Sequence, residues 1–272
     1  MHANDRGDPV RLAYTTISMT VIGFIVLPLV FIIWMSFFSN KILSFPPEGY
    51  TLEWYARAWD LADFRDGFFL SMRMSLISTA ISLVLGLPAS FALARGRFPG
   101  RDAINTILMS PLMVPGIVSG GALFVFFLEI EFLTDVIIAG SSLGLIIAYS
   151  LIGLPWMVRL VTTSLIGVNP SIEEAARSLG AGPLTVFFRI TLPVIKPGLI
   201  AGSLFAFVNA FIDLEKSLFL VGPDHTTLQI ALLNYLEWTF DSTIGAVATV
   251  QIALVAALLI ITDHYVKLSR AF

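Results

Sequence analysis

The 272-residue sequence contains no cysteine, and only 13% of it is charged. The first absence excludes disulfides, thiolate nucleophiles and cysteine-ligated zinc or iron–sulfur centres. The second excludes a single soluble domain, in which about 25% of residues carry charge. Sixteen Lys and Arg against 19 Asp and Glu leave a net charge of −3, the wrong sign for a nucleic-acid surface. Histidine is scarce as well. His2, His225 and His264 fall in three separated regions, no H-E-x-x-H occurs, and no metal site is expected. No G-x-x-x-x-G-K-[ST] loop is present either, so the phosphate-cradling turn of an ATPase is missing from this chain.

What the sequence has in excess is apolar surface. A 57% apolar content, 22 Phe and a mean hydropathy of +0.87 exceed what a fold of this size can hide from water, so lipid must cover much of it. Because hydrocarbon offers no partner to an unpaired backbone group, an apolar run of about 20 residues crosses as a helix. Six stretches qualify, over 14–38, 68–94, 104–128, 142–167, 199–221 and 244–268. The expected fold class is therefore all-α, a polytopic membrane protein with six transmembrane helices. The first run is longer than the 7 to 15 residues of a signal-peptide core, and no small-x-small site follows it, so it is read as a retained span. Pro28, Pro88, Pro111, Pro115 and Pro155 sit within these spans and predict kinks or close helix contacts.

Orientation follows from the basic residues of the short loops. With the faces numbered alternately, Arg6, Arg11, Arg95, Arg97, Arg101, Arg159, Arg177, Arg189, Lys196, Lys267 and Arg270 share the N-terminal side, against Lys41, Arg57 and Arg65 on the other. Both termini are expected to be cytoplasmic. Trp54, Tyr55 and Trp59, in the longest outer loop, predict a short interfacial helix.

The 168–198 segment is the longest cytoplasmic stretch. Asn169 is a plausible N-cap, Pro170 suits the first helical position, and Glu173 and Glu174 sit where the helix dipole favours acids. Gly180, Gly182 and Pro183 stop the helix. Ile172, Ala175, Ala176 and Leu179 recur on one side, and a helix this short should be held by packing. A second short helix is expected from Leu184 to Thr191, ahead of Pro193 and Pro197. The two helices make either a docking surface or a loop that packs on its own bundle.

Span five carries Asn209, Asp213, Glu215 and Lys216 inside the membrane, where ionised groups must face protein or water. Asn209, Asp213 and Lys216 share a helical face, and Asp213 with Lys216 is a possible i, i+3 pair. Glu215 points elsewhere, without a local partner. Either this stretch lines a pathway for a solute, or it is an interhelical ion pair with Glu215 answered by Arg73 or by another subunit.

Glu174, Ala175, Ala176, Gly180, Ile190, Leu192 and Pro193 stand at the spacing EAA-x3-G-x9-I-x-LP. This pattern resembles the EAA signature of the membrane subunits of binding-protein-dependent ABC importers. Residues 51–59, the turn from Arg95 to Arg101, and Phe219 to Pro223 with Thr227 and Leu228 are similar to the second permease of spermidine/putrescine-type systems. The resemblance implies a MetI-like permease in the bacterial inner membrane. It implies a single transmembrane permease domain over 1–272, with 168–198 as its EAA coupling loop. Glu173, Glu174, Ala175, Ala176, Gly180, Ile190, Leu192 and Pro193 would then form the coupling region against a cytoplasmic ATPase. The chain itself would be no enzyme and hold no cofactor, with ATP and Mg in the partner ATPase. The implied partners are a second permease, two ATPase subunits and a periplasmic solute-binding protein. The implied cargo is a small polar solute such as a polyamine or a related amine or amino-acid-like compound, with Asp213 and Glu215 as acceptors. Lys216, and Gln229 in place of an expected Pro, depart from that pattern and admit a zwitterionic or anionic solute.

Two other classes compete. Gly140-Ser-Ser-Leu-Gly144 fits the G-x-S-x-G of a serine hydrolase, with His264 as base, but the expected topology puts Ser142 and His264 on opposite sides of the bilayer. An ion-coupled secondary transporter could use Asp213, Glu215 and Lys216 as a relay, yet it leaves the 168–198 segment without a purpose.

Overall fold

The computed structural model describes residues 9–41, 44–223 and 225–266; His2, Arg6, Asp224, Lys267 and Arg270 lie outside the described residues. Those residues form helices α1 (Pro9–Met35), α2 (Glu53–Asp60), α3 (Ala62–Arg95), α4 (Arg101–Met109), α5 (Gly116–Thr134) and α6 (Ser142–Gly167). After these come α7 (Pro170–Ser178), α8 (Pro183–Val186), α9 (Leu192–Phe211), α10 (Ser217–Leu220), α11 (Leu228–Trp238) and α12 (Ser242–Val266). Among the described residues there is no β-strand, only an isolated bridge between Phe38 and Tyr50. Six helical runs are long and apolar enough to cross a membrane: Arg11–Met35, Ala62–Arg95, Gly116–Thr134, Ser142–Gly167, Pro183–Phe211 and Ser242–His264.

Two spans are displaced by ten residues or more from the sequence expectation. The third begins at Gly116 rather than at 104, because Ser110–Leu112 is a single 3-10 turn and Pro115 caps the next helix. Pro111 and Pro115 have no N–H to continue an α-helical ladder, so Arg101–Met109 separates as a short helix of its own. The fifth begins at Pro183 rather than at 199 and stops at Phe211 rather than at 221. The expected second short helix of the 168–198 segment is thus the first part of this span. A π turn over Phe187–Thr191 carries the helix on toward Pro193, with the Leu192 N–H bonded to Phe187 O, five residues back.

The chain divides into two compact units. The first comprises residues 1–61 and 235–254. Here α2 is seated by its aromatics: Trp54 Nε1 donates to Phe38 O at 2.6 Å, and Tyr55 OH lies 2.7 Å from Ser36 Oγ. The expected short helix is present over Glu53–Asp60, with Trp54 buried and Trp59 exposed, so only part of its aromatic face is open. Asp241 caps α12, accepting from Thr243 N at 2.9 Å and from Tyr235 OH at 2.9 Å, with Arg57 Nη1 at 3.5 Å. Burial raises the Tyr235 phenol above its ordinary range, which keeps it a donor to that carboxylate.

The second unit comprises residues 62–234 and 255–272, and its centre is α3, α6 and α9. Ser78 donates to Ile146 O at 3.1 Å, Ser82 to Ser150 O at 3.2 Å and Ser90 to Val158 O at 3.2 Å. The partners climb together in number, so α3 and α6 run parallel. Against α9 the order reverses, since Gly198 meets Leu160 and Ser164, Gly202 meets Met157 and Gly153 meets Ala206. The helices approach this closely because the contact residues are small; a Cβ on Gly153 would lie 2.6 Å from Ser82 Oγ and 3.0 Å from Ala206 Cβ. Met157, Val161, Leu165, Val168 and Ile195 form the core at one end of this unit, and Met74, Phe127, Leu145, Tyr149, Ala210 and Leu220 belong to the other.

Candidate functional site

The first site is the short helix α7. Asn169 Oδ1 accepts from Ser171 N at 3.1 Å, and Pro170 opens the first turn. At the other end Ala181 N bonds to Ala176 O at 3.0 Å and Gly180 N to Arg177 O at 2.9 Å, the paired closure of a Schellman cap. That closure puts Gly180 at φ +86°, a left-handed conformation that a side chain resists.

The apolar face of α7 does not pack on its own bundle. Ile172, Ala175 and Leu179 are exposed, Leu179 to 89%, and Leu184 and Phe188 extend the exposed apolar stripe. Glu174 and Arg177 are exposed beside it. The helix is instead held by a polar contact. Glu173 Oε1 accepts from Thr191 Oγ1 at 2.8 Å and from Arg95 Nη2 at 3.4 Å, and the same Arg95 nitrogen reaches Val168 O at 3.3 Å. With its side chain only 13% exposed, Glu173 faces the spans while its neighbour Glu174 faces out. Ala176 is half-buried. Ile190 lies in the π turn, Leu192 packs on the Met157–Ile195 cluster, and Pro193 is exposed in the first turn of α9. Arg95, Arg177, Arg189 and Lys196 therefore gather at one end of the second unit.

The second site is where α9 breaks. The helix stops at Phe211, and Asp213 starts the next turn by accepting from Lys216 N at 2.8 Å, while Ser217 Oγ donates to Asp213 O at 2.6 Å. The expected i, i+3 pair is present, with Lys216 Nζ 3.1 Å from Asp213 Oδ2. Both side chains are nearly buried, at 11% and 8% exposure. Tyr149 OH lies 2.6 Å from Ser217 Oγ, which pins this turn to α6 about 10 Å below the start of that helix. Asn209 is tied locally through Nδ2 to Phe205 O at 2.8 Å.

Glu215 stands apart. Its side chain is 55% exposed, and it pairs with Lys216 Nζ at 3.8 Å rather than with Arg73, which is exposed on α3. The carboxylate occupies space that Gly116 leaves open, since a Cβ there would fall 1.3 Å from Glu215 Oε2. Gly120 likewise admits the backbone of Glu215 and Lys216. Two acids and one Lys thus leave this turn with an excess negative charge. On one side lies a cavity of about 390 Å³ between the start of α5 and α6, lined by Lys216, Ser110, Ser119, Leu123, Ala148 and Ile152 among others.

Thr191 and Tyr149 carry no signal in the sequence, since each acts through a partner remote in the chain. The serine row is visible there in principle, because Ser71, Ser75, Ser78, Ser82, Gly86 and Ser90 place small residues along one helical seam. The G-x-S-x-G stretch has a structural explanation. Gly140 sits at φ +67°, Ser141 Oγ accepts from Gly144 N at 3.3 Å as the cap of α6, and a Cβ on Gly144 would collide with Ile138 O.

Residues 82–269 match the family described as binding-protein-dependent transport system inner membrane component. The putrescine transport system permease protein PotI of Escherichia coli K12 is 29% identical over 244 residues, covering 89% of this chain and 86% of that protein. The molybdenum transport system permease protein ModB of the same strain is 31% identical over 212 residues, covering 74% and 93%. Among solved structures, a chain of a bacterial ABC transporter involved in the import of the acidic polysaccharide alginate superposes with a TM-score of 0.65 at 17% identity, over 98% of this chain and 99% of that one. The signature at α7, the six spans and this family match together show that the chain belongs to the inner membrane components of binding-protein-dependent transport systems, the MetI-like permease subunits of ABC importers.

Proposed function

We propose that this subunit and a second permease form the membrane pathway of an importer, fed by a periplasmic solute-binding protein and driven by two cytoplasmic ATPase subunits that hold the ATP and Mg. The observation that carries this reading is α7, bolted to the bundle through Glu173 while Ile172, Ala175, Leu179 and Glu174 are presented outward. A nine-residue helix with an exposed apolar stripe is marginal in water, and the cleft of an ATPase supplies the missing partner surface. Ala175 and Ala176 permit close approach, Glu174 offers charge to a basic partner, and Gly180 closes the helix. Ile190, Leu192 and Pro193 lie within the first part of the fifth span, which follows the helix after Gly182. The basic cluster at this end supports a cytoplasmic location for it, with both termini on the same side.

For the cargo we favour a small cationic amine of the polyamine type. The excess negative charge at Asp213, Glu215 and Lys216 favours a cation, and PotI is named for putrescine transport. Asn209, on the preceding turn, borders the same stretch. A second reading, a small oxyanion, is favoured by Lys216 on the cavity wall and by the similarity to ModB, named for molybdenum transport.

The deciding experiment is uptake by proteoliposomes containing the complete complex, with putrescine and molybdate as competing cargoes. ATP-dependent putrescine uptake that is reduced in Glu215→Gln supports the cationic reading; molybdate uptake insensitive to that change supports the other. Uptake driven by an ion gradient with no ATPase present would overturn the importer reading altogether.

A further inference from the structure

Two neighbouring acids on α7 face opposite ways, and the inward one is tied to three separate parts of the second unit. Glu173 Oε1 receives the hydroxyl of Thr191, in the π turn that leads into α9, and the guanidinium of Arg95, at the last residue of α3. Through the same nitrogen Arg95 holds Val168 O, the residue that caps α6. One carboxylate oxygen and one guanidinium nitrogen therefore connect α7 to the ends of α3, α6 and the fifth span. These three helices form the close-packed centre of the unit, where small residues leave little room for independent movement.

The other features of α7 do not provide such a link. Its apolar residues Ile172, Ala175 and Leu179 are exposed, and its caps at Asn169 and Gly180 are internal to the segment. Among the described residues, α7 is joined to the spans by the covalent backbone at either end, by its packing on α8 and the π turn at the start of the fifth span, and by the Glu173 carboxylate, which also reaches α3. The backbone route passes through Ala181–Gly182 on one side, a stretch without helical bonding to α7 beyond the cap.

We propose that Glu173 is a positioning residue for energy coupling, acting with Arg95 and Thr191 as the internal anchor that converts displacement of α7 into joint movement of α3, α6 and the fifth span. Its role differs from that of Glu174, which faces the ATPase. The inference rests on the proposed function of α7 as the ATPase contact.

The test uses the complete complex in proteoliposomes and measures three quantities: retention of the ATPase, ATP hydrolysis, and solute moved per ATP. Glu173→Ala and Arg95→Ala are expected to retain the ATPase and hydrolyse ATP, while solute per ATP falls about fivefold, the scale on which interior coupling residues act. Glu173→Gln, which keeps an acceptor for Thr191 and Arg95, is expected to lie between Glu173→Ala and the native protein. The charge-exchanged pair Arg95→Glu with Glu173→Arg is expected to exceed either exchange alone. Native solute per ATP in both alanine variants overturns the proposal, as does loss of the ATPase from Glu173→Ala equal to that from Glu174→Lys. Should Glu173→Ala fail to insert, Glu173→Gln and Thr191→Val decide instead, and native stoichiometry in both overturns it. If Glu174→Lys and Gly180→Leu leave assembly and coupling unaltered, the reading of α7 itself has failed, an outcome separate from failure of the anchor.

Discussion

Two glycines that follow α7 look alike in the sequence and are not alike in the fold. Gly180 adopts φ +86°, whereas Gly182 sits at φ −71°, and a Cβ added at either would meet no atom within 4 Å. Space is therefore not the issue at either; backbone conformation is. Alanine at 180 is expected to cost about 1–2 kcal/mol in closure of α7, the penalty for a left-handed L-residue, and alanine at 182 close to nothing. Hydrogen exchange of the 176–181 amides measures the difference, and equal protection in both variants would contradict the cap. At the second site, where α9 breaks, the corresponding residue is Gly116. Alanine there must displace the Glu215 carboxylate, so Gly116→Ala is expected to raise the KM for solute in the same direction as Glu215→Gln, with membrane abundance unchanged. A shift in only one of the two variants would separate Gly116 from the acid's function.

At the scale of elements, the parallel pair α3 and α6 shows how small residues set distance. Gly153→Val adds branched bulk where a Cβ alone already meets Ser82 and Ala206, and overpacking of this kind destabilises by about 1–3 kcal/mol. Thermal unfolding in detergent reads this out, with Ser82→Ala as a milder comparison, since interhelical hydrogen bonds in membranes average about 0.6 kcal/mol. The same scale explains what is legible in the sequence. Span four is readable to the residue, because Ser141 caps it and Val168 ends it within a uniform apolar run. Spans three and five are displaced, because hydropathy counts side chains and does not register the missing N–H of Pro111 and Pro115 or the π turn at Phe187–Thr191. The caps of α7 are readable, since Asn169, Pro170 and Gly180 act within a few residues of their own positions. The inward turn of Glu173 is not, because its ionic partner lies 78 residues away. Asp213 and Lys216, three apart, are recognisable as a pair, but the break that makes Asp213 a cap is not.

For the whole molecule, the cysteine-free sequence makes orientation directly measurable. Leu179→Cys and Thr134→Cys introduce single thiols at exposed positions, one at the C-terminal cap of α7 and one at the last residue of α5. A membrane-impermeant maleimide applied from the periplasmic side is expected to label position 134 and to reach position 179 only after permeabilisation; the reverse pattern would invert the proposed topology. The family match begins at residue 82, so α1, α2 and the first turns of α3 lie outside it. The most apolar window of α1 buries none of its residues.

The exposed stripe on α7 has a further consequence for how the complex must be made. In the proposed topology, a permease synthesised without its ATPase would present Ile172, Ala175 and Leu179 to the cytosol from a membrane it cannot leave. Such a surface invites nonspecific association and recognition by chaperones and proteases. The subunits of this importer are therefore best produced in matched amounts, and the stripe proposed to meet the ATPase would also mark any unassembled copy for removal.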